Sequence, residues 1–166
     1  LSRLLPYLDL PLIKDVVIRG ELIIPIELFD KKYKPMGAKN ARNFVGGIIN
    51  SKKSNPDKCK DLDFVAYEVI RCPSGKPLKP SDQMKWLVDN DVLCVEHQFE
   101  TKINIELLSS LLKEWRVDYE FEIDGVIVTN DKIYPRQNKN PDHAFAFKMV
   151  LDDQGEETRV IDVDYK

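Results

Sequence analysis

Five short segments, met in order along the chain, constrain its fold more than any other feature. They are Ile18–Pro25 (IRGELIIP), Ala41–Asn43 (ARN), Phe64–Val69 (FVAYEV), Glu122–Val128 (EIDGVIV) and Ala144–Lys148 (AFAFK). Each sets one charged or aromatic side chain against apolar neighbours: Glu21, Arg42, Tyr67, Asp124 and Lys148 in turn. A polar group in such a run must be paired, solvated or aimed at a ligand, because burying it alone costs several kcal/mol. Carried on successive elements, the five can converge on one cleft.

Between these segments the chain alternates strand and helix signals. Asp15–Ile24 reads as a first strand that Pro25 limits, and Leu62–Arg71 as a second. Val92–Phe99, Ile123–Thr129, Phe145–Leu151 and Thr158–Tyr165 read as four more. Ile26–Tyr33 suggests a short helix, and Lys34–Gly37 a turn. Asn40 caps a helix through Ala41–Val45, in which Gly46 and Gly47 each cost about 1 kcal/mol relative to Ala. Ser51–Lys60 is polar and lysine-rich, a solvated connection. Ser81 starts a helix with Met84, Leu87 and Val88 on one stripe. Asn104 caps another, with Leu107, Leu108, Leu111, Leu112 and Trp115 inward and Ile103 stapled to Leu108. The order lacks regular βαβ units. It predicts an α+β fold: a mixed, largely antiparallel sheet with flanking helices.

Composition narrows the class. A length of 166 residues suits one domain, and 43% apolar residues suffice for a core. The net charge of -3 argues against a generic nucleic-acid-binding domain but leaves a local basic patch open. Cys59, Cys72 and Cys94 are odd in number and form no Cys-x-x-Cys pair, which points to reduced thiols in an intracellular, reducing compartment. No run approaches the ~18 apolar residues of a membrane span, so no membrane partner is expected. The chain begins Leu1-Ser2-Arg3, with neither Met nor secretory signal, and reads as a piece of a longer protein.

The candidate residues suit a nucleotide phosphate, its base and a divalent metal. Glu21 is a strand carboxylate able to accept ribose hydroxyls or orient a metal; taken alone it equally pairs with Arg19. Asp124 opens an apolar strand beside Gly125, which permits close approach of a ligand or another backbone, and its carboxylate can hold Mg²⁺. As a lone dipeptide Asp124-Gly125 reads as a turn. Lys148 ends an apolar strand, where an ammonium faces solvent or neutralises a phosphate. The Tyr67 ring can stack on a base or fill a core. Arg42, near a helix start, and Arg116, after a helix, can contact phosphate. His97 and His143 lack metal-ligand spacing, and no Gly-x-x-x-x-Gly-Lys loop occurs.

Taken together, the segments resemble the nucleotidyltransferase (adenylation) domain of NAD⁺-dependent DNA ligases, from its third motif to just past its fifth. Arg19-Gly20-Glu21, Ala41-Arg42-Asn43, Glu122-Ile123-Asp124-Gly125-Val126 and Ala144–Lys148 follow that family's motifs in order. The resemblance implies an ATP-grasp-like ligase core over residues 1–157, lacking its N-terminal part, with 158–166 leading into an OB-fold domain. It implies a lysine–AMP intermediate formed from NAD⁺, transfer of AMP to a DNA 5′-phosphate, and sealing of nicked double-stranded DNA in replication and repair. By the same resemblance Glu21, Tyr67, Thr129 and Lys148 contact the AMP moiety, Asp124 organises phosphate or Mg²⁺, and Arg42 and Arg116 contact phosphate or DNA. The site of action would be cytoplasm, nucleoid or viral factory.

The chain departs from the family pattern at Thr129 and Asn50, where basic residues are usual; Lys52 or Lys53 offers a substitute for the second. The Lys-x-Asp-Gly tetrapeptide that carries the nucleophile does not occur. The fragment is therefore expected to be inactive alone, and the missing portion to leave apolar surface through which copies associate. Two alternatives stand beside this reading. One is an ATP-dependent polynucleotide ligase or capping-type nucleotidyltransferase; the other is a non-catalytic nucleotide- or nucleic-acid-binding module derived from a ligase.

Overall fold

A computed structural model of the chain describes residues 4–53 and 55–149. Its elements are β1 (Val17–Ile23), α1 (Ile26–Leu28, continued by a π-helical turn over Phe29–Tyr33), α2 (Ala41–Asn50), α3 (Pro56–Cys59), β2 (Asp63–Arg71), α4 (Pro80–Asp89), α5 (Ile105–Asp118), β3 (Val126–Thr129) and β4 (Ala144–Phe147). Among the described residues the expected single sheet is instead two antiparallel pairs, β1 with β2 and β3 with β4. The expected strand at Val92–Phe99 is reduced to one parallel bridge, Cys94 with Ala66. Two hydrogen bonds make it, Ala66 N–H to the Leu93 carbonyl and Val95 N–H to the Ala66 carbonyl. Beyond Val95 the chain is exposed through Glu106, so no buried face holds a longer ladder. Thr158–Tyr165 lies outside the described residues, as do the last two positions of the expected fifth strand.

β1 is crossed by a strand longer than itself. Val17 faces Arg71, Ile18 faces Val69, Arg19 faces Glu68 and Gly20 faces Ala66. Ile70 and Tyr67 are therefore extra residues in β2, two bulges that bend the strand and re-aim side chains. Gly20 sits at the tightest point. A Cβ there would lie 2.4 Å from the Val65 carbonyl oxygen and 2.6 Å from the Phe64 ring.

The helices follow their caps. Asn40 and Asn104 accept from the backbone N–H groups of Asn43 and Leu107, as the sequence predicts. Ser81 is not the cap of α4; that helix begins at Pro80, and its first turn is capped from a distance by Asp131. Ser81 donates both its N–H and its hydroxyl to Asp131, at 2.8 and 2.9 Å, and Lys79 adds an ion pair at 2.8 Å. The Ser51–Lys60 connection is only partly solvated, because Asn55 caps α3 and α3 buries Cys59 completely.

Two buried clusters support the strands. One gathers Ile24, Phe29, Tyr33, Val45, Ile48, Cys59 and Leu62 beneath β1 and α2. The other joins Ala66, Val69, Cys72, Leu87 and Val92 between β2 and α4. α5 contributes Leu108 and Leu112, both buried, and is followed by buried Phe121. No helix among the described residues is long and apolar enough to cross a membrane.

Gly20→Ala is expected to lower unfolding stability by about 1–3 kcal/mol, because the obstacle is backbone and cannot swing away. Asn104→Ala should cost about 1 kcal/mol through loss of a helix cap. Urea denaturation of the two variants beside the unmodified chain checks both.

Candidate active site

The short β3–β4 hairpin builds the centre of the site. Val126 pairs with Phe147 and Thr129 with Ala144. One further step in the same register sets Gly125 opposite Lys148. The contact at Gly125 agrees: an added Cβ would lie 2.7 Å from both Lys148 Cγ and the Phe147 carbonyl oxygen. Gly125 therefore leaves room for the Lys148 stem, whose ammonium reaches across to Asp124 Oδ2 at 2.8 Å. The sequence implied a close approach at Gly125; the approaching group is this lysine.

Both members of the pair stay largely exposed, 59% for the Lys148 side chain and 67% for Asp124. The hydrogen bond from Lys148 holds the Asp124 carboxyl below the ordinary carboxylate range; slight desolvation opposes this, and the charge of Arg42 adds to the lowering. Arg42 in turn lies 4.0 Å from Glu21 Oε1. Four of the expected residues thus form one electrostatic series: Glu21 on β1, Arg42 in the first turn of α2, and the Asp124–Lys148 pair on the hairpin.

The other expected residues are placed differently. Thr129 is exposed, and the register puts it on the same face as Lys148, with Ile127 between them at 70% exposure. Tyr67 is one of the two bulged residues of β2 and is 45% exposed, so its ring is not core filling. Its neighbour Glu68 bridges Arg19 at 3.2 Å and Arg136 at 2.6 Å. Arg116 lies behind the hairpin. Its guanidinium donates to the carbonyls of Ile123, Asp124 and Met149, each at 3.4 Å, bracing the segments that carry Asp124 and Lys148. Its Nη1 is buried without a partner among the described residues.

Asp131 and Arg136 escaped the sequence reading. They tie the β3–β4 connection to α4 and β2 across 50 and 68 positions, a separation that no local motif signals. No group of three or more His, Cys, Asp or Glu suited to a metal ion occurs among the described residues.

The NAD-dependent DNA ligase adenylation domain family matches residues 5–150. The chain belongs to that family. It is 39% identical over 138 residues to a DNA ligase of Acanthamoeba polyphaga mimivirus, covering 81% of this chain and 21% of that protein. It is 30% identical over 177 residues to the putative DNA ligase 205R of Invertebrate iridescent virus 6, covering 99% of this chain and 28% of the relative. A DNA ligase of Treponema denticola is 29% identical over 147 residues, covering 82% of the chain and 22% of the relative. The adenylation-domain chain thus spans between about a fifth and just over a quarter of these relatives.

A carboxylate with a lowered pKa adds stability above its unfolded value, and that contribution disappears as pH falls through the folded value. Carbon-detected NMR should find Asp124 titrating below the usual ~3.9 for Asp. Lys148→Met should raise that midpoint. Any stability difference between the two forms should fade as the pH drops through the depressed value.

Proposed function

We propose that this chain is part of an enzyme that seals nicks in double-stranded DNA by adenylyl transfer from NAD⁺. The observation carrying the proposal is the exposed Asp124–Lys148 pair with Arg42 and Glu21 beside it. Phosphoryl transfer needs positioning and charge neutralisation more than covalent chemistry from the protein. In this reading the Lys148 ammonium leaves Asp124 to neutralise an oxygen of the transferring phosphate. Asp124 holds that ammonium in place before substrate arrives. Arg42 contacts phosphate, and Glu21 accepts hydrogen bonds from the ribose. Tyr67 stacks on the base, and Thr129 lines the face that Lys148 shares. Arg116, expected to contact phosphate or DNA, instead positions the segments that carry Asp124 and Lys148 through their carbonyls.

Mg²⁺ takes one or two carboxylates together with water and substrate phosphates, so the exposed Asp124 carboxylate is compatible with it despite its single charge. When bound, the ion would neutralise developing phosphate charge, and Asp124 is the residue that would hold it.

The chain contains no Lys-x-Asp-Gly nucleophile, so it is expected to form no AMP adduct with NAD⁺ or ATP by itself. A labelled covalent adduct on any of its lysines overturns that point. In the protein that carries this chain, Lys148→Ala should slow nick sealing by about 10²-fold or more while DNA is still bound. Sealing at the unmodified rate would remove Lys148 from the chemistry, and no sealing by the unmodified protein would favour a non-catalytic module.

A further inference from the structure

We propose that Arg136 is a positioning residue for adenylyl transfer. By holding Glu68 it fixes the β3–β4 hairpin, with Asp124 and Lys148, against the β1–β2 pair, with Glu21 and Tyr67. The inference rests on the ligase reading above. Among the described residues no strand ladder joins the two pairs, so side-chain contacts must set their mutual placement.

The connection between β3 and β4, residues 130–143, is where the hairpin is tied down. Its residues are exposed apart from Asp131 and His143, which are half-buried, so no apolar core anchors it. At its base Asn130 N–H donates to the His143 carbonyl at 2.9 Å. The Tyr134 and His143 rings stack with centroids 3.8 Å apart, closing the connection on itself. Two contacts then reach outward. Asp131 holds Lys79 and Ser81 at the start of α4, and Arg136 Nη1 donates to Glu68 Oε1 at 2.6 Å. Both lead to β2. Gln83 of α4 accepts from Val69 N–H at 2.9 Å, and Leu87 packs with Ala66 and Val69.

Of the two ties, Arg136 is the one that reaches the site residues. Glu68 faces Arg19 across the strands and pairs with its guanidinium at 3.2 Å. Arg19 stands just before Gly20-Glu21, and Glu68 directly follows the bulged Tyr67. One carboxylate therefore joins β1, β2 and the hairpin connection. Arg19 already supplies the cross-strand cation that the β1–β2 pair needs, so the second guanidinium serves the hairpin. The Arg136 and Glu68 side chains are 48% and 29% exposed, and a pair this open to water adds little to global stability. Its effect on rate can be far larger, because a misplacement of about 1 Å at a reacting centre costs up to about 10²-fold. A stability role and a positioning role therefore give different readouts.

The test is single-turnover formation of enzyme–AMP from NAD⁺ by the protein that carries this chain. Arg136→Met should lower the maximal rate by about 10-fold. The NAD⁺ concentration at half-maximal rate should stay within about 2-fold, because Glu21 and Tyr67 are untouched. Arg136→Lys, which keeps a cation within reach of Glu68, should restore most of the rate. Glu68→Gln should slow the step at least as much, and adding Arg136→Met to it should cost nothing more, as expected of a residue that acts through its partner. Lys85→Met, which breaks an ion pair within α4, should change none of these values. Amide hydrogen exchange in Arg136→Met should quicken over residues 124–129 and 144–148 and stay as it was in β1. An unmodified rate in Arg136→Met, or unchanged exchange in the hairpin, overturns the proposal. So does a further loss on top of Glu68→Gln, or a rise in half-saturation alone, either of which would put Arg136 on the substrate. Absence of enzyme–AMP from the unmodified protein would bring down the ligase reading itself, while the exchange measurement still decides whether Arg136 holds the hairpin.

Discussion

The candidate site depends on one missing side chain. Gly125 stands opposite Lys148, and only a residue without Cβ lets the lysine stem cross the hairpin to Asp124. Antiparallel register supplies the rest. Paired residues project to the same side, so Lys148, Ile127 and Thr129 share one open face, while Val126 turns into the core. Four residues of β3 and four of β4 thereby fix the geometry of an ion pair whose members are 24 positions apart.

That pair contributes little to stability. Exposed ion pairs are worth about 0–1 kcal/mol, because water and salt screen them. In the proposed function that weakness suits a site that exchanges partners. An ammonium held by a solvated carboxylate can turn to a phosphate without breaking a buried interaction. Arg42 and Glu21 have the same character, with side chains 76% and 60% exposed and 4.0 Å apart. The site is thus a set of loosely paired charges on stiff supports. The stiffness comes from buried side chains under β1 and α2, and from the Arg116 guanidinium on the carbonyls behind the hairpin.

Long-range polar ties set where the hairpin sits. Asp131 caps α4 although it belongs to the β3–β4 connection, and Arg136 of the same connection pairs with Glu68 on β2. Glu68 neighbours the bulged Tyr67, so one short stretch of β2 both turns an aromatic ring outward and anchors the hairpin's loop.

Local chemistry made much of this legible from the residues alone. Asn40 and Asn104 as caps, the apolar stripe of α5, and the strands through Arg19-Gly20-Glu21 and after Asp124-Gly125 follow from side-chain periodicity and hydrogen-bonding capacity within a few positions. Family membership followed from the order of those segments. What residue patterns could not decide involved partners far apart in the chain. The division into two small sheets, the loss of a strand after Val92, the bulge at Tyr67, the capping of α4 by Asp131 and the bracing role of Arg116 each depend on which backbone groups meet in space. Caps and periodic faces are satisfied within one turn or one strand, so sequence determines them by itself. Register, bulges and distant caps are settled only when two segments compete for the same hydrogen bonds, and that competition is resolved by the tertiary fold.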